Sequence, residues 1–120
     1  GGNPLACAVA EQVMIMLSKK SLLNGVKKKE KLFLKELKDI NKEFKCFSAI
    51  RSSGLWIGCK LNVTENFNLD TIMKACYANG LMILKANNNT IRIAPSLIIE
   101  DELILKGLKI LRQAIREQLR

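Results

Sequence analysis

Across residues 26–61 the spacing of apolar side chains changes from three-and-four to two, and that change restricts the layers such a chain can build. Val26, Phe33, Leu37, Ile40 and Phe44 fall on one stripe of a helix, with lysines on the remaining faces. Leu55, Ile57, Cys59 and Leu61 then alternate with Trp56, Gly58 and Lys60, the pattern of a half-buried strand. A helix with one stripe to bury and a strand with one face to bury satisfy each other. Helices layered on a sheet are therefore the simplest architecture.

The rest of the chain repeats these two periods. Asn3 suits the cap of a helix and Pro4 its first position, where a proline's missing N–H costs nothing. Leu5, Val9, Val13 and Met16 share one face, with Ala6 and Ala10 small enough for close packing, and predict a helix over 4–17. Residues 18–24 read as a break before the next helix. Strands over 46–50 and 55–61 are joined by Arg51, Ser52, Ser53 and Gly54, a polar turn that ends in glycine. Leu69, Ile72, Met73, Cys76 and Tyr77 trace a third helical stripe, and Gly80 stands where a left-handed cap ends such a helix. Short strands over 82–85 and 90–94 flank Asn87, Asn88 and Asn89, and Pro95 stops the second of them. Glu100, Asp101 and Glu102 put negative charge at the start of a last helix, whose buried face is Ile104, Leu108, Leu111 and Ile115. Strands arriving in adjacent pairs predict an α+β fold, a small and mostly antiparallel sheet packed with helices, as one domain over 1–120.

Charge and cysteine content narrow the function classes. Of the net +9, a surplus of six comes from ten lysines against four acids between Lys19 and Lys45. These lysines surround an apolar stripe and line no groove with aromatics, which reads as a solvated helix face, with a basic nucleic-acid-binding module as the alternative. Cys7, Cys46, Cys59 and Cys76 form no CxxC pair, and no histidine is present to complete a zinc site, so no metal is expected. Cys59 and Cys76 fall on apolar faces, and the thiols read as buried and reduced in a cytoplasmic protein. No apolar run approaches the roughly 20 residues that span a bilayer, so no membrane partner is expected. The opening Gly1, Gly2, Asn3, Pro4 carries neither an initiator methionine nor a signal segment and reads as a piece of a longer protein.

Catalytic material is sparse: the chain has no histidine, no glycine-rich phosphate loop and no nucleophile elbow. Arg92 is the charged residue in an unusual place, between Ile91 and Ile93 in a short strand, with its side chain on the face opposite theirs. Two roles are open to it. One is a structural ion pair; the other is binding of a carboxylate, which the guanidinium fork matches in bidentate fashion. Trp56 reads as core or interface packing in preference to a substrate contact.

Three blocks carry a family resemblance. They are GGNPLACAVA at the start, FSAIRSSGLWIGCKL with Arg51, Gly54, Leu55 and Gly58 in register, and NGLMILKANNNTIRIAPSLIIEDEL. In this order they resemble the class III pyridoxal-phosphate-dependent aminotransferases. GNPLACAVA, FSAIR and RIAPSLIIEDE look most like the members that act on acetylornithine and succinyldiaminopimelate, with ornithine and succinylornithine aminotransferases as close alternatives. The resemblance implies the C-terminal small domain of a fold-type I transferase, whose large cofactor-binding domain, with the Schiff-base lysine, lies upstream. It implies a homodimer, transfer of an amino group to 2-oxoglutarate in arginine and lysine biosynthesis, and no catalytic residue in this chain, which alone would be inactive. Gly1, Gly2 and Asn3 would lie beside the phosphate loop of the cofactor without gripping it, and Arg92 would receive the α-carboxylate of the substrate. Ser52 and Ser53 depart from a usual glycine, and Asn88 stands where a glycine often precedes the arginine strand. Asparagine tolerates positive φ, so the second exchange is mild.

Overall fold

A computed structural model describes residues 19–64 and 67–119; the helix expected over 4–17, with Gly1, Gly2, Asn3 and Cys7, lies outside them. The described residues run α1 (Lys19–Phe44), β1 (Phe47–Ser53), β2 (Trp56–Leu61), α2 (Leu69–Ala78), β3 (Leu84–Ala86), β4 (Thr90–Ile93) and α3 (Asp101–Gln118). The strands form one antiparallel sheet in the order β1-β2-β4-β3. This is the expected α+β layering, with α3 packed against both α1 and α2.

The helical stripes close the core. Val26, Phe33, Leu37 and Ile40 of α1, Leu69, Ile72 and Cys76 of α2, and Ile104, Leu108, Leu111 and Ile115 of α3 are buried together with Ile57, Cys59, Leu61 and Ile91 of the sheet. Cys46, Cys59 and Cys76 are buried, unpaired thiols. The inward residues of β2 all lie on one side, so the helices cover one face of the sheet. The other face, with Trp56 and Lys60, is exposed.

Four local expectations are corrected. No break occurs at 19–24, because α1 already runs from Lys19. Leu22 and Val26, one turn apart, line the same groove with Leu55 and Pro95, and this packing carries the helix through the weak helix formers Asn24 and Gly25. Arg51, Ser52 and Ser53 belong to β1, paired with Gly58, Ile57 and Trp56, so that the loop shrinks to Gly54 and Leu55. Gly54 takes φ +59°, the sign that a two-residue type II′ loop requires at its first central position, and such a loop keeps the flanking strands paired to their ends. Tyr77 is not part of the buried stripe; it lies at 71% exposure in the last turn of α2, beside Met73, Met82 and Leu84 at the surface. β3 begins at Leu84 and not at residue 82; in the β3–β4 register Met82 would stand opposite Ala94, which lies beyond the end of β4 at Ile93.

The expected punctuation is found. Gly80 has φ +88°, its N–H donates to the Tyr77 carbonyl and that of Leu81 to the Cys76 carbonyl at 2.8 Å, the paired bonds of a Schellman cap. Asn88 and Asn89 both take positive φ, 61° and 55°, and turn β3 into β4. At α3 the acidic residues Asp101 and Glu102 occupy the first turn.

Candidate functional site

The open face of the sheet gathers its charged residues by register. Arg51 of β1 stands opposite Gly58 of β2, and Gly58 opposite Arg92 of β4. Two pairs further along, Ala49, Lys60 and Thr90 form a second row on the same face. With Asn88 these residues line a recess of about 290 Å³. Among the described residues three cations and no carboxylate face it. None of the Arg51, Lys60 and Arg92 side chains has an ion pair or hydrogen bond with a described residue. The described carboxylates that are engaged lie elsewhere: Asp70 with Lys85 at 3.5 Å, Glu43 with Arg112 and Arg116, Glu30 with the Ser52 hydroxyl at 2.6 Å, and Glu117 with the Gln113 amide at 3.1 Å.

Arg92 is partly buried and its Cζ lies 4.6 Å from the centroid of the Trp56 ring. Small residues leave it room: a methyl group at Gly58 would stand 3.5 Å from one of its terminal nitrogens. A guanidinium with no ion pair or hydrogen bond to a described residue, over a half-buried glycine, can take a planar anion along its N–H edge. A second recess, of about 300 Å³, lies around Ile93, Pro95, Ile99 and Leu108. Apart from Arg92, its lining residues are apolar.

Of the residues singled out by sequence, Arg92 and the Arg51–Gly58 pair come together in one row. Trp56, expected in the core or an interface, is 55% exposed and its described neighbour of note is Arg92. Lys60 was not anticipated at the site, although its outward place in the alternation of β2 was the available signal.

Pyridoxal phosphate needs a lysine withdrawn from water for its imine and donors for its phosphate. Every described lysine is exposed or half-exposed, and no polar or charged side chain among the described residues is buried. The described residues do not fit that group by themselves.

The sequence matches the class-III aminotransferase family over residues 1–115, and the chain belongs to that family. Its relatives within it are enzymes named for ornithine and diaminopimelate derivatives. The chain is 45% identical over 119 residues to the acetylornithine/succinyldiaminopimelate aminotransferase of Buchnera aphidicola subsp. Acyrthosiphon pisum, spanning 99% of this chain and 29% of that protein. It is 42% identical over 117 residues to the succinylornithine transaminase of Yersinia enterocolitica, spanning 98% of this chain and 28% of that one. The crystal structure of N-acetylornithine aminotransferase from Stenotrophomonas maltophilia superposes with a TM-score of 0.77 at 36% identity, over 99% of this chain and 33% of that chain. This chain thus has the fold of a fragment of those structures, and it spans 29% of the Buchnera relative's length. A nucleic-acid-binding module is not favoured by these similarities. Among the described residues no helix is long and apolar enough to cross a membrane.

Proposed function

We propose that this chain is the C-terminal small domain of a pyridoxal-phosphate-dependent aminotransferase, and that Arg92 is the residue that receives the substrate α-carboxylate. The reaction is transfer of an amino group from N-acetylornithine or N-succinyl-diaminopimelate to 2-oxoglutarate, in arginine and lysine biosynthesis, with ornithine or succinylornithine as alternative donors. The full-length protein is read as a cytoplasmic homodimer whose cofactor is held by residues outside those described. The observation that carries the reading is the Arg92 guanidinium on the open sheet face, without an ion pair or hydrogen bond to any described residue, in a recess with Arg51 and Lys60 and no described carboxylate. Family membership and the relatives' names support the choice of substrates.

2-Oxoglutarate and the glutamate formed from it carry a carboxylate beside the reacting carbon, whereas N-acetylornithine, whose α-nitrogen is acylated, gives up the amine at its far end. Arg92 therefore serves the 2-oxoglutarate half of the reaction most directly. Its charge attracts the carboxylate and its fork fixes the carboxylate's plane, which sets the position of the neighbouring Cα–H. Lys60 and Arg51 add positive potential beside it and draw the dicarboxylate 2-oxoglutarate toward the face.

The test is Arg92→Lys in the full-length protein, which keeps the charge and removes the fork. Losing a hydrogen bond to a charged group costs about 1.5–3 kcal/mol, so kcat/KM for the half-reaction with 2-oxoglutarate is expected to fall roughly ten- to a hundred-fold, with an unchanged unfolding midpoint. Near-normal kcat/KM with a lowered midpoint would instead make Arg92 a structural residue.

A further inference from the structure

The Arg92 guanidinium rests on two residues of β2. Gly58 stands directly opposite it in the ladder, and a Cβ there would meet Nη1 at 3.5 Å and Cζ at 3.9 Å, so the cation lies over bare backbone. Trp56, two residues earlier on the same face, sets its ring 4.6 Å from Cζ. More than half of the Trp56 surface is exposed, at 55%, so burial in the core does not explain where the ring sits.

We propose that Trp56 is a positioning residue for Arg92, holding the guanidinium over Gly58 so that its N–H edge is ready for a carboxylate. This rests on the reading of Arg92 as the carboxylate-binding residue. The physical reason lies in which part of the guanidinium each kind of partner occupies. An aspartate or glutamate would hold the cation by its in-plane N–H groups, the same groups a substrate carboxylate needs. An aromatic ring attracts the cation through its face and leaves the in-plane donors free. Arg92 has no acidic partner among the described residues, and its long side chain would otherwise sample several rotamers. Holding one rotamer before binding removes part of the ordering cost that binding carries.

The experiment uses the full-length protein with N-acetylornithine and 2-oxoglutarate as the two substrates. Trp56→Leu and Trp56→Phe are each made alone and together with Arg92→Gln, and kcat/KM is measured for both half-reactions. Trp56→Leu is expected to lower that with 2-oxoglutarate by roughly two- to thirty-fold, chiefly through KM, and Trp56→Phe to restore most of the loss. In the Arg92→Gln background, Trp56→Leu should add no more than about a twofold change, because the group it positions is gone. Gly58→Val, which claims the guanidinium's space from beneath, should reproduce the loss and serves in its place should Trp56→Leu fail to fold. Full kcat/KM in a folded Trp56→Leu or Gly58→Val protein overturns the proposal. So does a Trp56→Leu loss of equal size with and without Arg92. Normal kcat/KM for Arg92→Gln alone removes the carboxylate reading itself, and the positioning role with it, which is a different result from an Arg92 effect without a Trp56 effect.

Discussion

The side-chain Oδ1 of Asn41, in the last turn of α1, accepts a 2.8 Å hydrogen bond from the backbone N–H of Phe47, the first residue of β1. Between them Lys45 takes the left-handed φ of 51°, and its N–H donates to the Asn41 carbonyl at 2.7 Å. One asparagine therefore ties helix end to strand start with both its side chain and its backbone. Asn41→Leu leaves the partly buried Phe47 N–H without its acceptor and is expected to cost about 1–3 kcal/mol of stability. Asn41→Asp keeps the acceptor and should cost less. Denaturant unfolding of both variants checks the order; equal losses would show that volume, and not the acceptor, matters at this position.

Asn68 caps α2 in the same economical way. Its Oδ1 accepts from the Thr71 N–H and from the Thr71 hydroxyl, both at 2.9 Å, while its own N–H donates to the Gln118 side chain at the end of α3. Asn68→Ala is expected to lower stability by about 0.5–2 kcal/mol, and Asn68→Asp to retain most of it, since aspartate accepts the same bond and favours the helix N-terminus. Thermal unfolding measures this. An alanine variant as stable as the parent would remove the cap from the account.

The buried thiols make a pH prediction. Burial pushes Cys46 from its ordinary 9.0 up to about 11 and Cys76 to about 11. Cys59 is pushed up to about 12 by burial first and by the nearness of Cys46 second. A native pKa above the unfolded one means that the unfolded chain loses these protons first as pH rises. The stabilisation from keeping the thiols neutral is therefore complete below about pH 9 and is lost as pH climbs through the native values. Unfolding free energy should fall on the alkaline side of pH 9, and at pH 8 alkylation of these three cysteines, followed by peptide mapping, should be slow in the folded protein and fast in denaturant. Rapid native alkylation would show that the thiols are open to solvent.

Much of this fold is legible locally, because its signals act over one or two turns of chain. The helical stripes at Leu37, Ile72 and Leu111 and the alternation at Ile57 and Cys59 mark which side of each element must leave water, and all five residues are buried. The positive φ of Gly54, Gly80 and Asn88 follows from residue types that tolerate it. Where packing overrode local preference, the reading failed: α1 continues through Asn24 and Gly25, and β1 extends to Ser53.

The sequence by itself determined the layered α+β class and the core faces, and it singled out Arg92 as an arginine between two isoleucines. Tertiary structure alone decided what surrounds that arginine. The register shift between Phe47 and Ala49 lets both Phe47 and Ile50 pack toward the core, which no strict alternation allows, and it turns Ala49 and Arg51 to the open face. The β1-β2-β4 order then puts Arg51, Gly58 and Arg92 in one row and sets Trp56 diagonally beside the guanidinium. Periodicity records which side of its own strand a residue occupies. It carries no information about the partner across the ladder, because register is set by hydrogen bonds and packing between segments far apart in the chain.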